Sequence, residues 1–381
     1  MTAPVKNYLS TDTGAPTWNG TIGSTIAVLD ALLINGFNEK TLSSLTQADG
    51  VATATTATAH GYRVNQVVEI AGANEAGYNG QFTVMSVSTL AFTYAVDSGL
   101  AATATGTLTA KVAPLGWTKA FSGTNKAAYR SNNVASTQCL LRVDDSNALY
   151  SLVRGYKTMT DIDTGADPFP TTAQQANYAW KKSSTADATA RKWTLFGDDM
   201  LFMFALAYST ASGNTPGSSA WPPLFGFGDF ISYKPGDVFN CLIYAYATTA
   251  PTNIYNDAGF NHTANIPYCP RAFTQIGSAL RLSKLGIYPN ASSGLASGGL
   301  SYPNPEDNGL LIWSRHVLQD SSSDVRGIQP GAYHLPQAVP MNDGDVVSDV
   351  EGYAGKQFFM LGCSNAATEA RMAIDITGPW R

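Results

Sequence analysis

The amino-acid sequence predicts a mainly β protein: an antiparallel, sandwich- or barrel-like main domain with one N-terminal helix and a small inserted β-barrel module. Three observations predict it. Strand-like runs alternate with Asp, Gly and Pro turns roughly every eight to fifteen residues through most of the chain. The clearest helical period is confined to residues 21–36. Residues 48–112 hold five short Thr- and Val-rich runs, too little chain for a large sandwich and enough for a small barrel or curled sheet. The 381 residues suffice for two or three domains. They divide into an N-terminal arm and helix (1–47) that belong to the main domain, the module (48–112) and the rest of the main domain (113–381).

In TIGSTIAVLDALLING, Ile22, Ile26, Leu29, Leu32 and Leu33 form an apolar stripe, Ser24 or Thr21 can cap the start, and Asn35-Gly36 supplies a left-handed stop. This predicts an amphipathic helix of about three turns whose stripe packs into its own core. Residues 37–49 read as a polar linker. Within the module, VATATTAT, VNQVVEIAG, QFTVMSVS, TLAFTYAV and TGTLTAKVA read as strands, and Tyr78-Asn79-Gly80 as the turn joining the second to the third. Beyond it, TTAQQANYAWKK (171–182) reads as a short helix with Ala173, Ala176 and Trp180 on one face. WPPLFGFGDFISYKPGDVFNCLIYAYATT carries an edge-like Gly and Pro pattern. Residues 211–220 and 291–300 read as flexible surface loops. KQFFMLGC and EARMAIDIT read as two closing strands that tie the C-terminus to the core.

Charged residues make up only 13% of the chain, against about 25% in ordinary soluble proteins. The surface must then be rich in Ser, Thr, Asn, Gln and Gly, groups that cost less than ions to cover with a partner. A net charge of −5 without a basic block argues against a nucleic-acid groove. The N-terminal MTAPVKNYLSTDTGAP lacks a signal-peptide core, and no run of about 18 apolar residues occurs, so synthesis in the cytosol without membrane insertion is expected. Cys139, Cys241, Cys269 and Cys363 are far apart in apolar runs and read as buried free thiols, not disulfides or a zinc site.

Candidate chemistry is sparse. DIDTGADPF offers Asp161, Asp163 and Asp167, yet Ala166 stands at the sixth position, where a calcium loop needs Gly, and Thr172 at the twelfth, where it needs Glu. An Asp-Gly turn is the simpler reading. FGFGDF (225–230) lacks the spacing of a phosphate loop and leads into a strand. Asp198-Asp199 would point to opposite faces of a strand, and Asp343 and Asp345 flank Gly344 in a turn, so neither pair reads as glycosidase carboxylates. His60, His262, His316 and His334 are scattered, without a nucleophile motif. His60 reads as a turn residue before Gly61. No catalytic, cofactor-binding or metal-binding residue is assigned, and a non-enzymatic protein without cofactors is expected.

MTAPVKNYLSTDTGAP, the helix ending INGF, GWTKAFSGTNKAAYRS, LRVDDS, RGYKTMTDIDTG, KKSSTADATARKW and FGFGDFISYKPGD together resemble a family of structural proteins of tailed bacteriophages and prophages. Separately, the GVATATTATAHG start, the VVEIAG strand and YNGQFTV resemble the small β module named after the first catalytic cysteine half-domain (FCCH) of ubiquitin-activating enzymes, which recurs in phage tail proteins. That module contributes no nucleophile, and the stretch here contains no cysteine. The resemblance implies a virion protein made in the host cytoplasm, an oligomeric tail or baseplate adaptor or decoration that contacts other virion proteins. A head or collar decoration protein and a tail protein binding a host-surface glycan or receptor are the alternatives it leaves open.

Overall fold

The computed structural model describes residues 4–208, 224–247, 249, 265–285, 301–312, 315–335, 337, 339–341, 344–362 and 371–381. The two loops at 211–220 and 291–300, together with His262, Asp343 and Cys363, lie outside them. The protein is mainly β, with 47% of residues in strands and 5% helical, and every strand pairing is antiparallel. Its strands form a seven-stranded sheet and a second, much larger set.

After a short strand, β1 (Lys6–Leu9), comes the helix. It is α-helical over Ser24–Leu29 (α1) and continues as a π-helical segment, Asp30–Asn35, ending at Gly36 with φ 73°. Val28, Leu29, Leu32 and Leu33 are buried in the main core, whereas Ile22 precedes the helix and is 54% exposed. Neither predicted residue caps the start. Gly23 occupies the N-cap position, and Ser24 Oγ donates to the Asn19 carbonyl. The cap comes from afar: the amides of Thr25 and Ile26 donate to the Asp145 carboxylate at 2.8 and 3.4 Å. A side chain 120 positions away is invisible to a local capping pattern.

The predicted polar linker is in fact a strand. β2 (Phe37–Ala48) is the longest strand among the described residues, and it pairs with β3 (Val51–Thr56) on one side and β8 (Gly106–Val112) on the other. Its pattern was hard to read because bulges interrupt both ladders and only Leu42 and Leu45 point fully inward. With β4 (Val67–Ala73), β5 (Gly80–Thr83), β6 (Ser86–Val87) and β7 (Ala91–Ala95), the sheet runs β5-β4-β8-β2-β3-β7-β6 as a half-barrel. Inward residues alternate as a pleat demands: Ala52 and Ala54, Phe92 and Tyr94, Leu108, Ala110 and Val112. At the predicted turn, Asn79 stays at φ −84°, and its side chain instead bonds both backbone groups of Ala73. Only Gly80 takes a positive φ.

The chain enters and leaves this sheet on one ladder, since Phe37 lies opposite Val112. It then rejoins the helix, where the amides of Leu115 and Gly116 donate to the carbonyls of Leu32 and Leu33. The seven-stranded sheet therefore begins at Phe37, ahead of the predicted start at residue 48. It is also tied to the N-terminal arm: Asp12 accepts from Arg63 at 2.8 Å and from Gln66, and Tyr8 Oη donates to the Ala113 carbonyl.

The larger set begins with a meander of β9 (Trp117–Gly123), β10 (Lys126–Ser131), β11 (Leu140–Asp144) and β12 (Tyr150–Met159). β12 pairs further with β13 (Gly165–Phe169) and β14 (Ala179–Lys181). β14 replaces the helix predicted at 171–182. Tyr178, Ala179 and Trp180 are buried in succession, a pattern no single helix face produces, and both rings donate to backbone carbonyls of a neighbouring strand.

At the centre, β15 (Trp193–Gly197), β16 (Leu201–Leu206) and β17 (Leu224–Asp229) lie side by side, and past the short β18 (Ile231–Ser232), β19 (Cys241–Tyr246) joins β17. Every residue of β16, β17 and β19 is buried. One face, with Phe202, Phe204, Phe225 and Ile243, packs into the cluster shared with the meander and helix. The other face, with Met203, Ala205, Leu224 and Leu242, meets a second layer. That layer is built from β20 (Asn265–Cys269), β21 (Leu280–Leu285), β22 (Arg315–Asp320), β23 (Val325–His334), β24 (Val346–Ser348), β25 (Gln357–Gly362) and β26 (Arg371–Asp375).

The edge-like reading of 221–249 is thus overturned at β17, which is central. Its glycines serve close approach: a Cβ on Gly226 would lie 2.5 Å from Tyr244 Oη, and one on Gly228 2.1 Å from the Met200 carbonyl. The two predicted closing strands form as β25 and β26, which pair with each other, and beyond them Trp380 enters the second cluster while Arg381 pairs with Asp198 at 2.9 Å.

Candidate functional site

Most polar residues singled out in the sequence are committed to structure. His60 is 1% exposed, between the half-barrel's strands. Its Nδ1 accepts the Tyr62 amide at 3.0 Å, so Nε2 carries the proton and donates to the carbonyls of Ser88 and Ala91. Imidazole here locks a turn. Asp161 accepts the amides of Asp163 and Thr164, which holds its carboxyl below the usual range. Asp163 pairs with Lys126 at 2.8 Å and Arg142 at 2.6 Å, while Asp167 pairs with Arg271 at 2.5 Å. Asp161 thus closes its own turn while Asp163 and Asp167 face different cations, and the three carboxylates share no centre.

Asp198 and Asp199 lie in the turn between β15 and β16, not on a strand as the sequence suggested, and their side chains diverge. Asp198 bonds Arg381 and the amides of Met200 and Leu201, and Asp199 accepts from Asn133. Asp345 sits beside β25, where its carbonyl accepts the Met360 amide. His316 is buried on β22 opposite Gln329, and His334 closes β23. Cys139, Cys241 and Cys269 are buried free thiols. Burial pushes the Cys269 thiol up to about 11 and holds the Cys241 thiol well above the usual thiol range. Among the described residues, no group of three or more His, Cys, Asp or Glu side chains is placed to hold a metal ion.

Two buried ionic arrangements organise the region beneath the meander. Asp145 and Lys182 pair with both side chains fully buried, and Asp145 also accepts from Ser151 Oγ and caps α1. Burial raises Asp145 and lowers Lys182, each against the pull of its partner. Asp229, at the end of β17, accepts the Thr137 amide and hydroxyl, both at 2.6 Å. Burial nevertheless lifts its carboxyl to about 6.

Thr137, so anchored, forms one wall of a cleft of about 480 Å³ over β9 to β12. Three cations line it, Lys119, Arg130 and Lys157, and no carboxylate does. Lys119 is held by Asp30 at 2.5 Å. Lys157 donates to the carbonyls of Thr137 and Val238 at 2.6 and 2.9 Å and lies over the Phe239 ring. Arg130 is exposed, opposite Thr118 across the ladder, and its side chain makes no hydrogen bond or ion pair with any described residue. Phe121 lines the same cleft, half-buried and outside all three apolar clusters.

Sequence reasoning missed this cleft because four strands contribute to it and no local motif marks it. The only local signal is KAAYRS, where Tyr129 is buried, its hydroxyl bonded to Asp30, and Arg130 must then face outward. Compared with known proteins, the chain matches no protein-family model and no curated sequence.

Proposed function

We propose that the chain is a non-enzymatic structural protein of a tailed bacteriophage particle, an adaptor or decoration protein assembled in several copies at the tail or baseplate. The family resemblance supplies the particle. The observation that carries the assembly role is the rim of the half-barrel. Among the described residues β6 ends the sheet, pairing only with β7, and around it Met85, Val87 and Leu90 are 53%, 42% and 44% exposed. An open strand edge with apolar side chains is a surface that another chain covers. Low charge density elsewhere keeps such covering inexpensive.

Mass spectrometry and cryo-electron microscopy of purified virions test the reading. The protein is expected in intact particles with this rim against a neighbouring virion protein. A Met85→Ser, Val87→Thr, Leu90→Ser variant is expected to fold but to be lost from particles. Absence of the wild-type protein from intact virions would sink the proposal.

A further inference from the structure

We propose that the cleft over β9 to β12 binds an acidic oligosaccharide, with its carboxylate or phosphate on Arg130 and a sugar face on Phe121. This goes beyond the assembly role and does not depend on it. The volume of about 480 Å³ falls in the range of ligand sites. A guanidinium without a partner presents a planar fork of donors matched to a carboxylate or phosphate. Its cationic neighbour Lys157 is already fixed by two carbonyls, so that charge is positioned before any ligand arrives. In a chain of net charge −5, a cleft carrying Arg130 and Lys157 without a balancing carboxylate, Lys119 being neutralised by Asp30, concentrates anions locally.

The rest of the lining selects the class of anion. Thr118 and Thr158 bring hydroxyls, Gln138 an amide and Phe121 one aromatic ring kept out of the cores. Hydroxyl-rich ligands need such mixed donors and acceptors, and an aromatic face covers the apolar side of a pyranose. A protein partner would instead seek apolar anchors. Those are found at Met85, Val87 and Leu90, on the other sheet.

Calorimetric titration of the purified full chain tests this with four probes: tetragalacturonate, a phosphodiester-linked mannose tetramer, maltotetraose and inorganic phosphate. At least one acidic tetramer is expected to bind, more weakly as salt rises, with maltotetraose and phosphate much weaker. The better of the two acidic tetramers identifies the anionic group. Arg130→Gln should weaken binding by about tenfold or more, the loss of a charge-assisted hydrogen bond, with an unchanged melting temperature. Phe121→Ala should weaken the tetramers and leave phosphate unaffected. No binding of either acidic tetramer at millimolar concentration, equal binding by Arg130→Gln, or phosphate binding as tightly as the tetramers would each overturn the proposal.

Discussion

Replacing Asp145 by Ala removes one carboxylate that serves three purposes. It leaves the fully buried Lys182 ammonium without its counter-charge, uncaps the amides of Thr25 and Ile26, and strips an acceptor from Ser151. Breaking a buried pair from one side costs about 3–5 kcal/mol, and losing a helix cap about 0.5–2 kcal/mol. The contributions share one side chain and cannot simply be summed, so a loss of about 4 kcal/mol is expected. Against the roughly 5–15 kcal/mol of a typical domain this is severe. Urea unfolding followed by tryptophan fluorescence measures it, with Trp18 bonded directly to Thr25 as a local reporter. Lys182→Met in the Asp145→Ala background removes the stranded charge and should recover a good part of the loss. A single variant costing less than about 1 kcal/mol, or a double variant costing the sum of the singles, would refute the view that this pair fastens the helix to the meander.

Three further outcomes follow from the same structure. Because burial raises Asp229 from 3.8 to about 6, the folded state holds its proton longer than the unfolded state does. Stability should therefore be highest below pH 4 as far as this group is concerned and fall by about 2–3 kcal/mol as pH rises through 6; a pH series should show that component missing in Asp229→Asn. Lys6 is 2% exposed with its amine lowered to about 8, chiefly by desolvation, so the unfolded chain binds the extra proton. Wild-type stability should gain up to about 2–3 kcal/mol from this group between pH 8 and 10.5, a gain absent in Lys6→Met, which should lose nothing at pH 7. Finally, excising residues 37–112 and joining Gly36 to Ala113 through Asn-Gly should leave a cooperatively folded main domain, since Phe37 and Val112 are ladder partners about 5 Å apart. Excising only 48–112 strands β2 with Leu42 and Leu45 uncovered, and its melting temperature should be lower.

Where one strand carries its own pattern, the sequence was readable. VATATT and AFTYA alternate inward and outward as their composition implies, and QFFMLG pairs with RMAID as two closing strands. Reading failed where burial depends on distant chain. FNEKTLSSLTQA looks polar because two bulges break its period. LFGFGD looks like an edge because glycine weakens strands, yet here it lets Tyr244 and the neighbouring backbone close in. In LRVDDS nothing separates Asp144, beside Arg142 at 3.6 Å, from Asp145, which is fully buried against Lys182. The cleft was illegible for a related reason: Phe121, Arg130 and Lys157 come from three strands, and only the meander's register sets them around one opening.

The doubly covered central strands impose an order on synthesis. Their first face is closed by segments that precede or adjoin them in the chain, whereas the second is closed by Leu318, Ala332, Phe359, Leu361, Met372, Ile374 and Trp380, all translated later. At about 5–20 residues per second, the nascent chain carries Met203, Leu224 and Leu242 unshielded for several seconds or more. Ribosome-bound chains halted before residue 318 should therefore recruit chaperones, and chains released there should aggregate, although the meander, helix and half-barrel are already complete. The last strands act as the lid on a sticky surface, and yield in a heterologous host hinges on how quickly they arrive.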